Sequence, residues 1–289
     1  MVQFVKTTQK YGQTANTVFE VPMIANKNGE IVTASNPFPV TMGSGGTSGG
    51  TISAKPFYLD VVQGNVAGYS FNHKFGAVPS MSQNTLGSVW DVNDTLYPWT
   101  ALDTPAVVNV ERNNVADEGK TITVQGLDSN YNFVEENIVI SGTDTTGSTL
   151  FKRVNRCFVA SDSGANAGDI DIEAGAAGGT TVARIAAGNG QSLMAVFTVP
   201  AGKTAYMLQL NASAADDTDC TISLYMQLVS TGYFRIQDTF EMQRGGGAVN
   251  QTYQAPIAFV EKTDIDVRAE TRANNKRITA SFDLLLVDN

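Results

Sequence analysis

Apolar and polar residues alternate along most of the chain, in short runs that Gly, Asn and Asp interrupt. This period of two predicts β-strands, because the spacing of apolar residues expected for helices is nearly absent. In ITASFDLLLVD, from Ile278 to Asp288, every second residue up to Leu286 is apolar, so one face should lie in a core and the other be only partly exposed. Strands are predicted at Thr121–Gln125, Asn137–Ser141, Ser192–Val199, Thr204–Ala212, Thr221–Val229, Phe234–Met242, Ile257–Val260 and Ile278–Val287.

Turn-forming residues separate these runs. GLDSNYN, from Gly126, and VPAGKTAY, from Val199, place Gly, Asn, Asp or Pro where a tight reversal requires them. Many short strands with such turns predict an all-β protein, with β-sandwich or jelly-roll regions. We divide the chain into an extended N-terminal arm at residues 1–56, a first β region at 57–145 and a second β-sandwich region at 146–289. The two β regions can also share one core.

The N-terminal arm combines a stiff element with a slack one. In SNPFPV, Pro37 and Pro39 hold the backbone extended around Phe38, which suits a docking strand. From Gly43 to Gly50 the chain contains only Gly, Ser and Thr, the composition of a flexible linker. The arm has too few large apolar residues to offset an ordering entropy of roughly 1–2 kcal/mol per residue, so a partner should supply burial. We predict anchoring contacts at Phe19, Pro22, Ile24, Pro37, Phe38 and Pro39.

Charge limits the classes of partner. Only 16% of the residues are charged, against about 25% in typical domains, and the net charge is -9. A nucleic-acid partner is not expected, because no basic stripe is present and Glu270 interrupts the densest cationic segment, Arg268 to Arg277. No apolar run is long enough to span a membrane. The N-terminus lacks the apolar stretch of a secretory signal, so we expect synthesis in a cytoplasm.

Residues that could carry chemistry are sparse. The single histidine, His73, is expected to be a structural polar group, since a catalytic triad would have to use it and a zinc site needs further ligands. Acids alternate with Ile or Val at residues 169–173 and 263–270, as on the solvent face of a strand, although two carboxylates could also serve a glycosidase. ADDTD, residues 215–219, is interpreted as a charged hairpin tip, with bound calcium as the alternative. We assign no catalytic, cofactor-binding or metal-binding residue and expect no enzyme.

The two cysteines, Cys157 and Cys220, lie in strand-like sequence outside any CxxC motif. Zinc or redox use is therefore not expected. Buried free thiols are the prediction, and a disulfide between them is the alternative.

Aromatic residues gather in SVWDVNDTLYPWTALD, which contains Trp90, Tyr97 and Trp99. Exposed Trp and Tyr beside Asp and Asn form sugar platforms and also protein interfaces. The same rings, if buried, would pack between the arm and the sandwich. Three interpretations therefore stay open: internal packing, a protein interface and a receptor glycan site.

Several segments resemble structural proteins of tailed marine phages, especially cyanophages. They are VPMIANKNGEIVTASNPFPV, YLDVVQGNVAGYSFNHKFGAVPSMSQNTLGSVWDVNDTLYPW, TVQGLDSNYN, FTVPAGKTAYMLQL and FDLLLVDN. The KFG…WD…YPW run and the PAGKT turn are the most specific of these motifs, and the resemblance spans nearly the whole chain.

The resemblance implies a bacteriophage virion protein without enzymatic activity, and it brings no cofactor or catalytic residue. A fibre-like appendage docked by the arm is the leading hypothesis. The alternatives are a capsid decoration or cement protein, a neck or baseplate protein, and a receptor-binding tip that contacts host glycan. Symmetric homo-oligomers are the rule for such parts, and we prefer a trimer.

Overall fold

A computed structural model describes residues 4–5, 23–24, 56–160, 164–215, 218–244 and 247–289. The chain divides into two units, residues 1–54 and residues 55–289. In the first unit, strands β1 (Phe4–Val5) and β2 (Met23–Ile24) pair antiparallel, with Phe4 opposite Ile24.

The second unit is nearly all β, which confirms the predicted fold class; a jelly-roll topology stays a prediction. Its described residues form helix α1 (Phe57–Val62), a short 3₁₀ helix (Val115–Asp117) and sixteen strands. The strands are β3 (Tyr69–Met81), β4 (Gly87–Ser88), β5 (Val108–Arg112), β6 (Thr121–Leu127), β7 (Phe133–Val139), β8 (Asp144–Thr146), β9 (Arg153–Val159), β10 (Ile170–Ala174), β11 (Thr180–Ile185), β12 (Val196–Thr198), β13 (Lys203–Ala214), β14 (Cys220–Leu228), β15 (Arg235–Met242), β16 (Ala248–Phe259), β17 (Thr263–Thr271) and β18 (Lys276–Asp288). Each strand predicted from the sequence overlaps an observed one.

Four sheets of this unit form two sandwiches, each with its own hydrophobic core. The outer sandwich packs the sheet β16-β13-β18-β3 against the sheet β12-β17-β14-β15, to which β4 adds at β17. The second sandwich packs the sheet β11-β10-β5-β8 against the sheet β7-β6-β9. Strand β18 illustrates the outer core: its alternate residues from Ile278 to Leu286 are buried, and those between them are half-buried, as the period of two predicts.

The second sandwich is inserted into the first, and we call it the inserted sandwich. The chain leaves the outer sandwich after Val89 and returns to it at Ala195, and Trp90 and Met194 pair across the two crossings. The Ala195 N–H donates to the Val89 carbonyl at 2.8 Å, and the Val89 N–H donates to the Val267 carbonyl at 2.8 Å. The ends of the insertion are therefore adjacent, which is the condition under which one domain can be inserted into another.

The two cores do not divide near residue 145, where the turn signals suggested a boundary between β regions. Strand β3, from the expected first region, belongs to the outer sandwich. Strands β9, β10 and β11, from the expected second region, belong to the inserted sandwich. Strand pairing between distant segments produces this arrangement, and local turn chemistry does not encode it.

Gly76 on β3 lies where the two crossings approach the sheet. A Cβ atom at this position would lie 2.2 Å from the Val89 carbonyl oxygen and 2.4 Å from the Ala195 nitrogen. Only glycine therefore allows β3 and the crossings to pack this closely.

None of the helices in the described residues is both long enough and apolar enough to cross a membrane.

Candidate functional site

The two sandwiches meet along β17, which is buried on both faces. Its residues Ile265, Val267 and Ala269 lie in the outer core. The side chains between them, from Asp264, Asp266 and Arg268, are buried on the opposite face. The prediction that the acids of residues 263–270 face solvent is wrong here, because a strand buried between two layers shows the same alternation as one that faces water. We call the polar contacts of this face the seam.

Asp264 forms the first half of the seam with Arg153 of the inserted sandwich. The Arg153 guanidinium donates to both carboxylate oxygens, from Nε at 3.2 Å and from Nη2 at 3.1 Å. The Thr198 hydroxyl donates to Oδ1 of Asp264 at 2.5 Å. Burial alone would lower the pKa of Arg153, but the charge of Asp264 raises it overall, so the guanidinium stays protonated. This bidentate geometry suits a buried ion pair.

Asp266 forms the second half. Its Oδ2 accepts hydrogen bonds from Arg268 Nε at 2.8 Å, the Ser88 hydroxyl at 3.0 Å and Trp99 Nε1 at 3.1 Å. Burial raises the pKa of Asp266, and these three donors oppose the shift. The Arg268 guanidinium also lies 4.4 Å from the ring centre of Phe234 and 4.2 Å from that of Tyr225. The seam therefore ties the loop that contains Trp99 to the strand that carries Asp266.

The rings of Trp90, Tyr97 and Trp99 are buried, with exposed fractions of 2%, 5% and 8%. Tyr97 packs edge-on against both tryptophans, at centroid distances of 5.2 Å and 4.7 Å. The indole N–H of Trp90 donates to the Thr95 carbonyl at 3.1 Å, and the Tyr97 hydroxyl donates to the Val154 carbonyl at 3.3 Å. The interpretation of these rings as an exposed receptor platform is wrong, since they are part of the inserted core and Trp99 contacts the seam.

A second polar contact crosses between the sandwiches beside the seam. The ammonium of Lys74, on β3, donates to the carbonyl of Asn155, on β9. The Asn155 side chain in turn accepts from the Thr198 N–H at 3.0 Å. Burial lowers the pKa of Lys74 to about 7. Lys74 is therefore expected to exchange its proton near neutral pH.

Asp91 lies just past the first crossing, where it accepts from the Leu193 N–H at 3.1 Å. Burial raises the pKa of Asp91 to about 7. Its other oxygen, Oδ1, has no hydrogen-bond partner in the part of the chain that the structure describes. Lys74 and Asp91 are therefore two buried groups with shifted pKa values at the place where the chain passes between the sandwiches.

The remaining predicted residues are dispersed. His73 lies on the outer sheet, where its Nδ1 is 2.5 Å from Asp283 Oδ1. Cys157 and Cys220 are free and buried, which confirms that prediction. Ile24 lies in β2. Phe19, Pro22, Pro37, Phe38, Pro39, the Gly43–Gly50 linker and Asp216–Asp217 lie outside the described residues, so the anchoring contacts and the calcium alternative stay predictions.

The acids at residues 169–173 are also paired. Asp171 accepts from Arg184 at 2.6 Å and 2.8 Å, and Glu173 accepts from Asn109 at 2.9 Å. Among the residues that the structure describes, no three His, Cys, Asp or Glu side chains are grouped to hold a metal ion. The acids of the seam are neutralised by arginines, so the arrangement supports structural coupling.

Sequence reasoning missed Arg153, Ser88 and Thr198 as partners in the seam. The available signal was a charged residue inside an apolar strand, as in RVNRCFV, together with two acids inside TDIDV. Each of these patterns also fits a strand with one solvent-exposed face. The ion pair between Arg153 and Asp264 therefore cannot be inferred from either segment alone.

No family model matches the chain, and no curated protein matches it. Among solved structures, the chain is similar to one described as "Structure of infectious bursal disease virus Gx strain". The two are 9% identical, the match covers 76% of this chain and 72% of that one, and the TM-score is 0.23. A likeness this weak carries no argument about function.

Proposed function

We propose that the chain is a non-enzymatic structural protein of a tailed-phage particle, a fibre-like appendage that residues 1–56 dock on the particle. The observation that carries this proposal is the seam. The Arg153–Asp264 ion pair, the hydrogen bond from Trp99 to Asp266 and two chain crossings join the sandwiches into one body. The resemblance of the sequence to phage structural proteins supplies the setting.

The seam supports a mechanical role because domains of one chain normally move relative to each other unless their interface is extensive. Here Arg153, Asp264 and Asp266 are all buried, so separation of the sandwiches would expose or strand charged groups. A protein that projects from a particle must keep its shape outside the cell, and a body of this construction does so without disulfides.

The division of the chain at residue 54 supports an anchor followed by a body. The proposed docking contacts remain Phe19, Pro22, Ile24, Pro37, Phe38 and Pro39, and the Gly43–Gly50 linker would absorb a symmetry mismatch between particle and body. We propose a homo-oligomer, preferably a trimer, because appendages follow the symmetry of their attachment sites. Capsid decoration and a neck or baseplate position are the alternatives within the same class.

Gold-labelled antibodies against residues 55–289, applied to purified particles, test the location. Labelling at projecting structures is expected, whereas labelling spread evenly over the head would favour decoration. No labelling of particles would contradict a virion role altogether. In a second test, deletion of residues 1–45 should prevent incorporation into particles while the body stays folded by circular dichroism. Normal incorporation of that truncated chain would refute the anchoring role.

A further inference from the structure

A cleft of about 530 Å³ lies on the outer sheet, on the face directed away from the outer core. Two cross-strand rows form its floor, since residues opposite each other on paired strands share a face. The first row contains small side chains, from Ala248, Ser213, Thr279 and Ala77. The second row contains Asn250, Asn211, Ser281 and Phe75.

The cleft follows from this sequence of side chains. The side chains of the first row are short and leave a depression in the sheet surface. The longer amide side chains and the aromatic ring of the second row form one wall of this depression. Leu193 closes one border, where its carbonyl accepts from the Ala77 N–H at 3.5 Å. The volume falls within the roughly 300–1,000 Å³ typical of small-molecule sites.

Polar groups in the second row are available to a ligand. Within the described part of the chain, the side chains of Asn211, Asn250 and Ser281 make no hydrogen bond. The next row differs, because its Asp283 carboxylate is engaged by His73 and by Gln209, each at 2.5 Å. Amides that both donate and accept, next to an aromatic face, suit a ring that carries hydroxyl groups.

The charge in the cleft is opposite to that of the protein. The chain has 28 acids and a net charge of -9, yet no Asp or Glu is among the described residues that line the cleft. Its one charged lining residue is Arg277, which is exposed and forms no ion pair with any described residue. A guanidinium binds a carboxylate through two parallel hydrogen bonds.

We propose that this cleft binds an acidic saccharide. Asn211 and Asn250 bond to sugar hydroxyls, Phe75 packs against the C–H face of a sugar ring, and Arg277 pairs with the sugar carboxylate. A protein partner fits less well, because a stable protein interface needs about 800 Å² per side, far more than the area this cleft offers. The proposal does not depend on the position of the chain in a particle.

Titration calorimetry with matched saccharides tests the proposal. The carboxylated probes are trigalacturonate and sialyllactose, and their neutral counterparts are methyl-esterified trigalacturonate and lactose. At least one carboxylated probe should bind more tightly than its counterpart. Arg277→Gln should weaken that binding by about tenfold, as expected for a charged hydrogen bond, and leave the neutral counterpart unchanged. Arg235→Gln, which changes an exposed arginine outside the cleft, is the matched control.

Ser213→Trp should fill the cleft and abolish binding, while circular dichroism and thermal unfolding verify the fold. Absence of binding by all four probes would overturn the proposal, as would binding that survives Ser213→Trp or equal losses in Arg277→Gln and Arg235→Gln. If no probe binds and Ser213→Trp abolishes self-association, the face belongs to an interface with a second copy, and the saccharide proposal is also wrong.

Discussion

The outer sandwich joins strands from opposite ends of the described body, whereas the inserted sandwich is built from residues 90–194. In the outer sandwich, β3 pairs with β18 along most of their lengths, and each has 13 residues. Strands of the inserted sandwich have only three to seven residues, and neighbours such as β6 and β7 are joined by short turns. The outer core therefore depends on pairing between strands from the two ends of the described body, whereas the strands of the inserted sheets pair only within residues 108–185.

The two sandwiches also satisfy their polar groups differently. Long ladders of backbone hydrogen bonds dominate the outer sheets. In the inserted sandwich, buried side chains brace the loops. Asp117 accepts from the N–H groups of Ala167 and Gly168, at 2.7 Å and 2.9 Å, and Asn166 donates to three backbone carbonyls. Short strands leave more loop backbone to be satisfied, and these side chains do so.

The seam is what makes two differently built sandwiches one body, and its ion pair should give the largest effect. Arg153→Met strands Asp264 in a buried site, so the free energy of unfolding should fall by about 3–5 kcal/mol. The double variant Arg153→Met/Asp264→Leu should recover most of that loss, because neither charge then remains buried. Urea unfolding measures both.

The matched control is Arg112→Met, which breaks the partly exposed pair with Glu118 in the same sandwich and should cost at most about 1 kcal/mol. Equal losses of unfolding free energy in Arg112→Met and Arg153→Met would mean that the buried ion pair of the seam stabilises the protein no more than a partly exposed pair does.

Gly76→Ala tests the crossings themselves. The added methyl group collides with backbone atoms of Val89 and Ala195, which cannot rotate away, so a loss of about 1–3 kcal/mol is expected in urea unfolding. At Gly142 the same substitution meets only one atom, at 3.6 Å, and should be nearly neutral. A Gly76→Ala protein as stable as Gly142→Ala would contradict the close approach.

Trp99→Phe removes the indole donor to Asp266 and keeps most of the buried ring. A loss of about 1–2 kcal/mol is expected, since a hydrogen bond to a carboxylate disappears. Tyr97→Phe removes only a 3.3 Å bond to a carbonyl and should cost less. Urea unfolding measures both losses. A larger loss in Tyr97→Phe than in Trp99→Phe would contradict the importance of the hydrogen bond from Trp99 to Asp266.

The pH dependence should reveal the two buried titrating groups. The pKa of Asp91 rises on folding from its ordinary 3.8 to about 7, so its contribution to stability is complete below about pH 4 and is lost as pH rises through 7. Lys74 acts in the opposite sense: its pKa falls from 10.5 to about 7, so its contribution is present above about pH 10.5 and is lost as pH falls through 7.

Asp91→Asn should therefore reduce the decline in unfolding free energy between about pH 4 and 7, to which Asp266 also contributes, and leave the rise above pH 7. Urea midpoints across this range measure the difference. An unchanged decline in the Asp91→Asn protein would assign it to other groups.

The sequence predicts strands better than it predicts their partners. Period two at Ile278–Val287 specifies which face is buried, since alternation reflects burial directly. The same alternation at Asp264 and Asp266 predicts a solvent-exposed face, because buried charged residues between two sheets give the same sequence pattern as charged residues at a surface. Insertion of one sandwich into the other depends on contacts such as Val89 with Val267, which no local pattern records.

Within the candidate site, the sequence identifies the aromatic loop as a notable segment, but it does not predict that the rings are buried. Trp90, Tyr97 and Trp99 stand beside Asp and Asn in the sequence, as platform residues also do, and only tertiary packing decides their exposure. The cleft residues gave no signal at all, because Ser, Thr, Asn and Ala on the outer face of a strand are common in this chain.

The coupling of the two sandwiches can be measured with the cysteines, because Cys157 lies in the inserted core and Cys220 lies in the outer core. Burial raises the pKa of each thiol to about 12, so each should react with a thiol reagent only after its own sandwich opens.

Labelling of each thiol under native conditions, followed by mass spectrometry across low urea concentrations, gives two opening free energies. Two equal values in the unchanged chain, with a lower value for Cys157 in Arg153→Met, are the result that a coupling seam predicts. Labelling of Cys157 at far lower urea concentrations than Cys220 in the unchanged chain would show that the sandwiches unfold independently, and would contradict coupling through the seam.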